Sequence, residues 1–160
     1  MKFRAILRTL TSHQVEFIVV GGFGGIIHGS GLLTQALDIV HNRASENVQK
    51  LLAALDEMDA VYRYRPEIRP DESHLSGPGH QLLQTRYGWL DLLGMVGQDS
   101  DYAALLPLCD RVEVEPSVTI EVVNLETLIR LKEEAGRDKD RAGLPELRAL
   151  LAERRRRRGF

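Results

Sequence analysis

The sequence predicts an α+β protein in which a mixed β-sheet carries helices on its flanks. Short β-branched or aromatic runs, Phe17–Val20 and Val118–Val123, have the length and composition of strands. Other stretches place apolar residues at helical spacing, first Phe3, Ile6, Leu7 and Leu10, then Val48, Leu51, Leu52, Leu55 and Met58. Paired glycines, Gly21-Gly22, mark the switch from the first strand to a helix start.

Taken in order, residues 2–11 form a short helix, and Thr11-Ser12-His13 turns the chain into the Phe17–Val20 strand. Gly21 and Gly22 end that strand, and the apolar turn 23–28 opens a helix. Backbone N–H groups then converge on one spot, which suits a phosphate. In the Gly29-Ser30-Gly31 loop, Ser30 either binds a phosphate or closes its own turn. Leu37–His41 is a second strand with a single acid, Asp38. Ser45 is the expected N-cap of the helix carrying the Val48–Met58 stripe. Residues 62–79 mix tyrosines, arginines and prolines before the breaker cluster Ser76-Gly77-Pro78-Gly79. Two readings stand for this segment: a polar excursion between strands, or a surface that stacks single-stranded bases.

Gln81–Thr85 and Trp89–Leu93 read as antiparallel strands about the Arg86-Tyr87-Gly88 turn. Asp91 lies there among Leu90, Leu92 and Leu93. An unpaired charge is costly to bury, so this acid needs a metal ion, a basic residue or backbone amides. Asp101–Leu108 is a short helix weakened by Pro107, and two strands follow around Pro116-Ser117. Asn124 caps a helix that Gly136 closes. Pro145 is expected in the first turn of the last helix, anchored by Leu147, Leu150 and Leu151.

The 160 residues fit one domain, 1–160. The net charge of −2 argues against nucleic-acid binding by the protein as a whole. The basic run Arg154–Arg158 is either a solvated helix end or a phosphate contact. One cysteine, Cys109, excludes an internal disulfide and a four-cysteine zinc site. No apolar run approaches the ~20 residues of a membrane span, and the first residues do not read as a signal peptide. A cytoplasmic chain with no membrane partner is expected.

Several stretches recur in a known order: Gly21-Gly22, then Thr34-Gln35-Ala36-Leu37-Asp38, then Tyr87-Gly88-Trp89-Leu90-Asp91-Leu92-Leu93-Gly94. Leu128–Lys132 with Gly136–Arg141 completes the series. Together they resemble the nucleotidyltransferase superfamily, in particular the small bacterial minimal-nucleotidyltransferase and abortive-infection-type proteins. That family's pattern is a Gly-Gly or Gly-Ser turn, a Thr-x-Asp-x-Asp strand and a third acid on a later strand. The resemblance covers roughly the whole chain and implies a nucleotidyltransferase-like mixed sheet, with a C-terminal helical hairpin at about 124–158. It makes Asp38 and Asp91 catalytic, metal-holding acids and puts the family's first carboxylate at Ala36. The nucleotide-binding set is Gly21, Gly22, Ser30, Thr34, Lys132, Lys139 and Asp140. For the last three the alternative is an exposed salt-bridge cluster, Glu133 and Glu134 against Arg137 and Lys139.

The activity so implied is metal-dependent transfer of a nucleotide from a nucleoside triphosphate to an RNA, protein or small-molecule acceptor, with Mg²⁺ or Mn²⁺ as cofactor. Acids at i and i+2 of a strand share one face, so a methyl group at position 36 removes half of a ligand pair. Weak metal binding and impaired transfer are expected. The alternative is a catalytically degenerate binding module, such as one half of a toxin–antitoxin pair or an RNA-binding partner. A third reading is a structural protein whose glycine turn serves only packing.

Overall fold

The computed structural model describes residues 2–159. Its strands are β1 (Phe17–Val20), β2 (Ala36–His41), β3 (Val61–Tyr62), β4 (His80–Thr85), β5 (Gly88–Leu93), β6 (Cys109–Glu115) and β7 (Val118–Val123). They form one mixed sheet in the order β3-β4-β5-β2-β1-β7-β6. β2 runs parallel to β5 and β1 parallel to β7, while the other neighbours are antiparallel. The helices are α1 (Phe3–Ser12), α2 (Gly21–Ile27), α3 (Ser45–Glu57), α4 (Glu72–Ser76), α5 (Tyr102–Leu105), α6 (Leu125–Ala135) and α7 (Asp138–Arg157).

Alternation along the strands divides the core between the two faces of the sheet. Val19, Leu37, Ile39, Leu90 and Leu92 pack with Ile6 and Leu10 of α1 and Leu51 and Leu55 of α3. Ile18, Val20, Val40 and Val123 pack with Leu128 and Leu131 of α6 and Leu144 and Leu147 of α7. The second face carries the candidate site.

Three local expectations are corrected, at the start of α7, the cap of α3 and the start of α2. α7 starts at Asp138, not near Pro145, because the Asp140 carboxylate accepts the Arg137 amide at 3.2 Å and closes a cap there. Pro145 lies inside the helix, where buried Leu144 and Leu147 hold the turn despite the missing N–H. Ala44, not Ser45, is the N-cap of α3, and Asn42 Oδ1 accepts the Ala44 amide at 3.0 Å. Segment 62–79 contains α4, capped by Asp71, and its Arg63 turns inward. α2 begins at the glycines themselves instead of after them.

The arginine run is largely tied down. Arg154 donates to the His28 carbonyl at 2.9 Å, Arg155 pairs with Glu126, and Arg156 and Arg157 pair with Glu153. His28 is a packing histidine, bonded through Nε2 to the Val123 carbonyl at 2.7 Å. No helix among the described residues is long and apolar enough to cross a membrane.

Asn47 ties α3 to the start of β1 and the end of β2. Its Oδ1 accepts the Glu16 amide at 2.7 Å, and its Nδ2 donates to the Glu16 and Asn42 carbonyls at 3.0 and 2.7 Å. Asn47→Ala leaves these buried groups unanswered and should cost about 2 kcal/mol in urea unfolding at unchanged m-value.

Candidate functional site

The site forms where β2 and β5 run side by side. Their register sets Ala36 beside Trp89 and Asp38 beside Asp91. Residues two apart share a face, so all four point toward the side covered by α6 and α7. In the β1–β2 pair Val20 stands opposite Asp38, and the chain therefore leaves β1 next to that carboxylate. Gly21 turns there with φ +67°, and a Cβ at this position would collide with the Asp38 carboxyl group. Glycine is required both for the backbone angle and for the space. A Cβ on Gly22 would lie 2.9 Å from Thr34 Cβ and Oγ1.

A cleft of 670 Å³ opens over these strands. Gly21, Gly22, Thr34, Ala36, Asp38 and Asp91 form one wall, and Lys132, Lys139 and Asp140 of the α6–α7 hairpin line it as well. Ser30 is the one predicted site residue outside the cleft lining. It is buried, and its Oγ accepts the Leu32 amide at 3.0 Å, closing its own loop.

Asp91 has found its partner in an arginine. Arg63 follows β3 directly, and its amide donates to the Leu82 carbonyl at 2.9 Å. Its Nη2 donates to Asp91 Oδ1 at 2.5 Å and to the Leu83 carbonyl at 3.1 Å, while its guanidinium stacks 4.1 Å from the Trp89 ring centre. The side chain is 8% exposed. The sequence requires a partner for Asp91, a metal ion, a basic residue or backbone amides, but does not single out Arg63, since 28 residues separate the two. The only local signal was the mixed aromatic and basic character of residues 62–65.

Asp38 lies beside that pair. Burial pushes its carboxyl up to about 7, helped by the charge of Asp91 and a hydrogen bond with it, while Lys139 and Arg137 act the other way. Across the cleft Arg137 Nε donates to Asp140 Oδ2 at 2.7 Å, and Lys132 Nζ stands 3.8 Å from Asp140 Oδ1. Burial pushes Asp140 up, but the Arg137 hydrogen bond and the charges of Arg137 and Lys132 together hold it below the usual carboxylate range. Burial holds Lys132 below the usual lysine value. The expected cluster of Glu133 and Glu134 against Arg137 and Lys139 is not formed. Glu133 pairs with Arg148 of α7 and Glu134 with Arg130 of α6, all four side chains exposed.

Among the described residues no three His, Cys, Asp or Glu side chains converge as a metal cage. Position 36 offers a methyl group and Asp91 gives an oxygen to Arg63, so these donors do not fit a pair of metal ions.

No protein-family model and no curated protein matches the chain. Solved structures do. A Thermotoga maritima protein described as a candidate nucleotidyltransferase superposes with a TM-score of 0.59 at 19% identity, over 94% of this chain and 91% of that one. The lincosamide antibiotic adenylyltransferase LnuA, in its lincomycin-bound form, superposes with a TM-score of 0.62 at 14% identity, over 92% and 95%. The mixed sheet with its flanking helices is thus the nucleotidyltransferase fold.

Asp38 sets a pH dependence whose sign is fixed. The folded chain binds its proton near 7 and an unfolded one near 3.8. The resulting stabilisation is fully present below the unfolded value and is lost as pH rises through about 7. Asp38→Asn should therefore exceed the parent in melting temperature by the widest margin near about pH 8, with the gap closing toward about pH 5. A gap that stays constant across this range would remove Asp38 as the titrating group.

Proposed function

We propose that this chain, built on the nucleotidyltransferase fold, is a nucleotide-binding module whose transfer chemistry is impaired. The observation that carries this reading is the Arg63–Asp91 pair beside Ala36. Nucleotide transfer on this fold needs carboxylates free to hold metal ions against the triphosphate. Here one position is a methyl group, one acid is engaged by a guanidinium, and Asp38 alone lacks an internal cation bonded to it. The groups suited to a triphosphate are kept: the glycine turn on one side, and Lys132 and Lys139 on the other. A neighbour named as an adenylyltransferase supports a nucleoside triphosphate as the ligand. Of the three readings drawn from the sequence, the degenerate binding module is favoured over the working transferase and over a purely structural protein.

Calorimetry with ATP tests the cleft. The parent should bind, and Gly21→Ala should weaken binding by about tenfold without loss of helical circular dichroism, because the added methyl displaces the Asp38 carboxyl group.

Pyrophosphate release from labelled triphosphates tests the chemistry. The parent should stay at background. Ala36→Asp alone should gain nothing, since position 36 neighbours Trp89, over which the Arg63 guanidinium lies, and the new acid meets that cation first. Ala36→Asp with Arg63→Gln should bind Mn²⁺ and release pyrophosphate. A parent as active as this double variant would overturn the reading.

A further inference from the structure

We infer that Arg63 is a built-in cation of the cleft, which lets the cleft take the phosphates of a nucleotide without a divalent metal ion. This rests on the nucleotide-binding reading above and deepens it by naming the charge that meets the phosphates.

The guanidinium is held in place before any ligand arrives. Asp91, the Leu83 carbonyl and the face of Trp89 fix it on three sides, and its backbone amide is bonded to Leu82. Little side-chain entropy is then left to lose on binding. Its hydrogen-bonding capacity is not used up. Nε is buried with no partner, and Nη1 makes no hydrogen bond among the described residues although Arg63 lines the cleft. A guanidinium with a free donor on a cleft wall matches a phosphate oxygen.

The charge balance of the cleft agrees. Its lining holds four cations, Arg63, Lys132, Arg137 and Lys139, against three acids, Asp38, Asp91 and Asp140. Two of these acids are engaged, Asp91 by Arg63 and Asp140 by Arg137 and Lys132. Among the described residues this leaves Lys139 as the cation with no ion pair and Asp38 as the acid with none, so the lining carries one positive charge in excess. A cleft dominated by free carboxylates repels a polyphosphate until metal ions reverse its sign. Here protein side chains have already reversed it.

Trp89 is the single tryptophan of the chain and lies under Arg63, so its fluorescence reports an anion reaching the guanidinium. The parent is titrated with ATP, inorganic pyrophosphate and adenosine, each in EDTA and in Mg²⁺, with calorimetry in parallel. ATP and pyrophosphate should bind in EDTA within about threefold of their affinity in Mg²⁺, and adenosine should bind far more weakly than either. By calorimetry, Arg63→Gln should lose about tenfold or more in EDTA, and Arg63→Lys should keep most of the affinity. Arg63→Gln strands the Asp91 charge and can fail to fold, so Arg63→Gln with Asp91→Asn provides the balanced control and should show the same loss. Binding of ATP that requires Mg²⁺ would overturn the role of Arg63 and leave the nucleotide reading standing. Undiminished binding by the balanced double variant in EDTA would do the same. Failure of ATP and pyrophosphate to bind under either condition would overturn both.

Discussion

Two carboxylates set abreast on neighbouring parallel strands define the problem that the rest of this cleft answers. The β2–β5 register leaves Asp38 and Asp91 no freedom to separate. Like charges held this close under partial burial cannot both be ionised without compensation. Arg63 answers for Asp91 directly. For Asp38 the answer is divided between a proton and the more distant charges of Lys139 and Arg137. Within the chain, the compensation of both acids is thus shared among Arg63, Lys139, Arg137 and a proton.

The helical hairpin supplies the opposite side of the cleft. Gly136, at φ +63°, ends α6 in a left-handed turn, and α7 folds back at once. Lys132 on the last turn of α6 and Asp140 on the first turn of α7 are thereby brought together over the strands. Asp140 is 3% exposed and doubly compensated, so it serves to hold Arg137 and Lys132 in place more than to carry free negative charge into the cleft.

What the sequence revealed follows from how local each signal is. The four residues of β1, the cap at Asn124 and the turn at Gly136 are written in adjacent positions, and the structure has each where the sequence puts it. The motif pieces Gly21-Gly22, Asp38 and Asp91 could be placed together because the resemblance ordered them on one sheet. Pro145 is a strong local signal for a helix start, but the Asp140 cap and the packing of Leu144 and Leu147 override it and set the start of α7 at Asp138. Loop composition leaves Ser30 two uses, a phosphate or its own turn, and only the resemblance adds it to the nucleotide-binding set; in the structure its hydroxyl closes the loop. Arg63 was hidden for a different reason. Its position depends on β3 pairing with β4 at the sheet edge, and no spacing along the chain encodes that contact.

The closeness of Arg63 to position 36, through Trp89, also bears on how such a sequence can change. An acid introduced at 36 while Arg63 remains would meet the guanidinium that lies over Trp89. Arg63 removed while 36 stays alanine abandons the Asp91 charge in a partly buried site, and stability falls. Each single step toward the Thr-x-Asp-x-Asp pattern is therefore unrewarded or harmful, and only both together open a path. The two positions are coupled, and the effect of a substitution at either depends on the residue at the other.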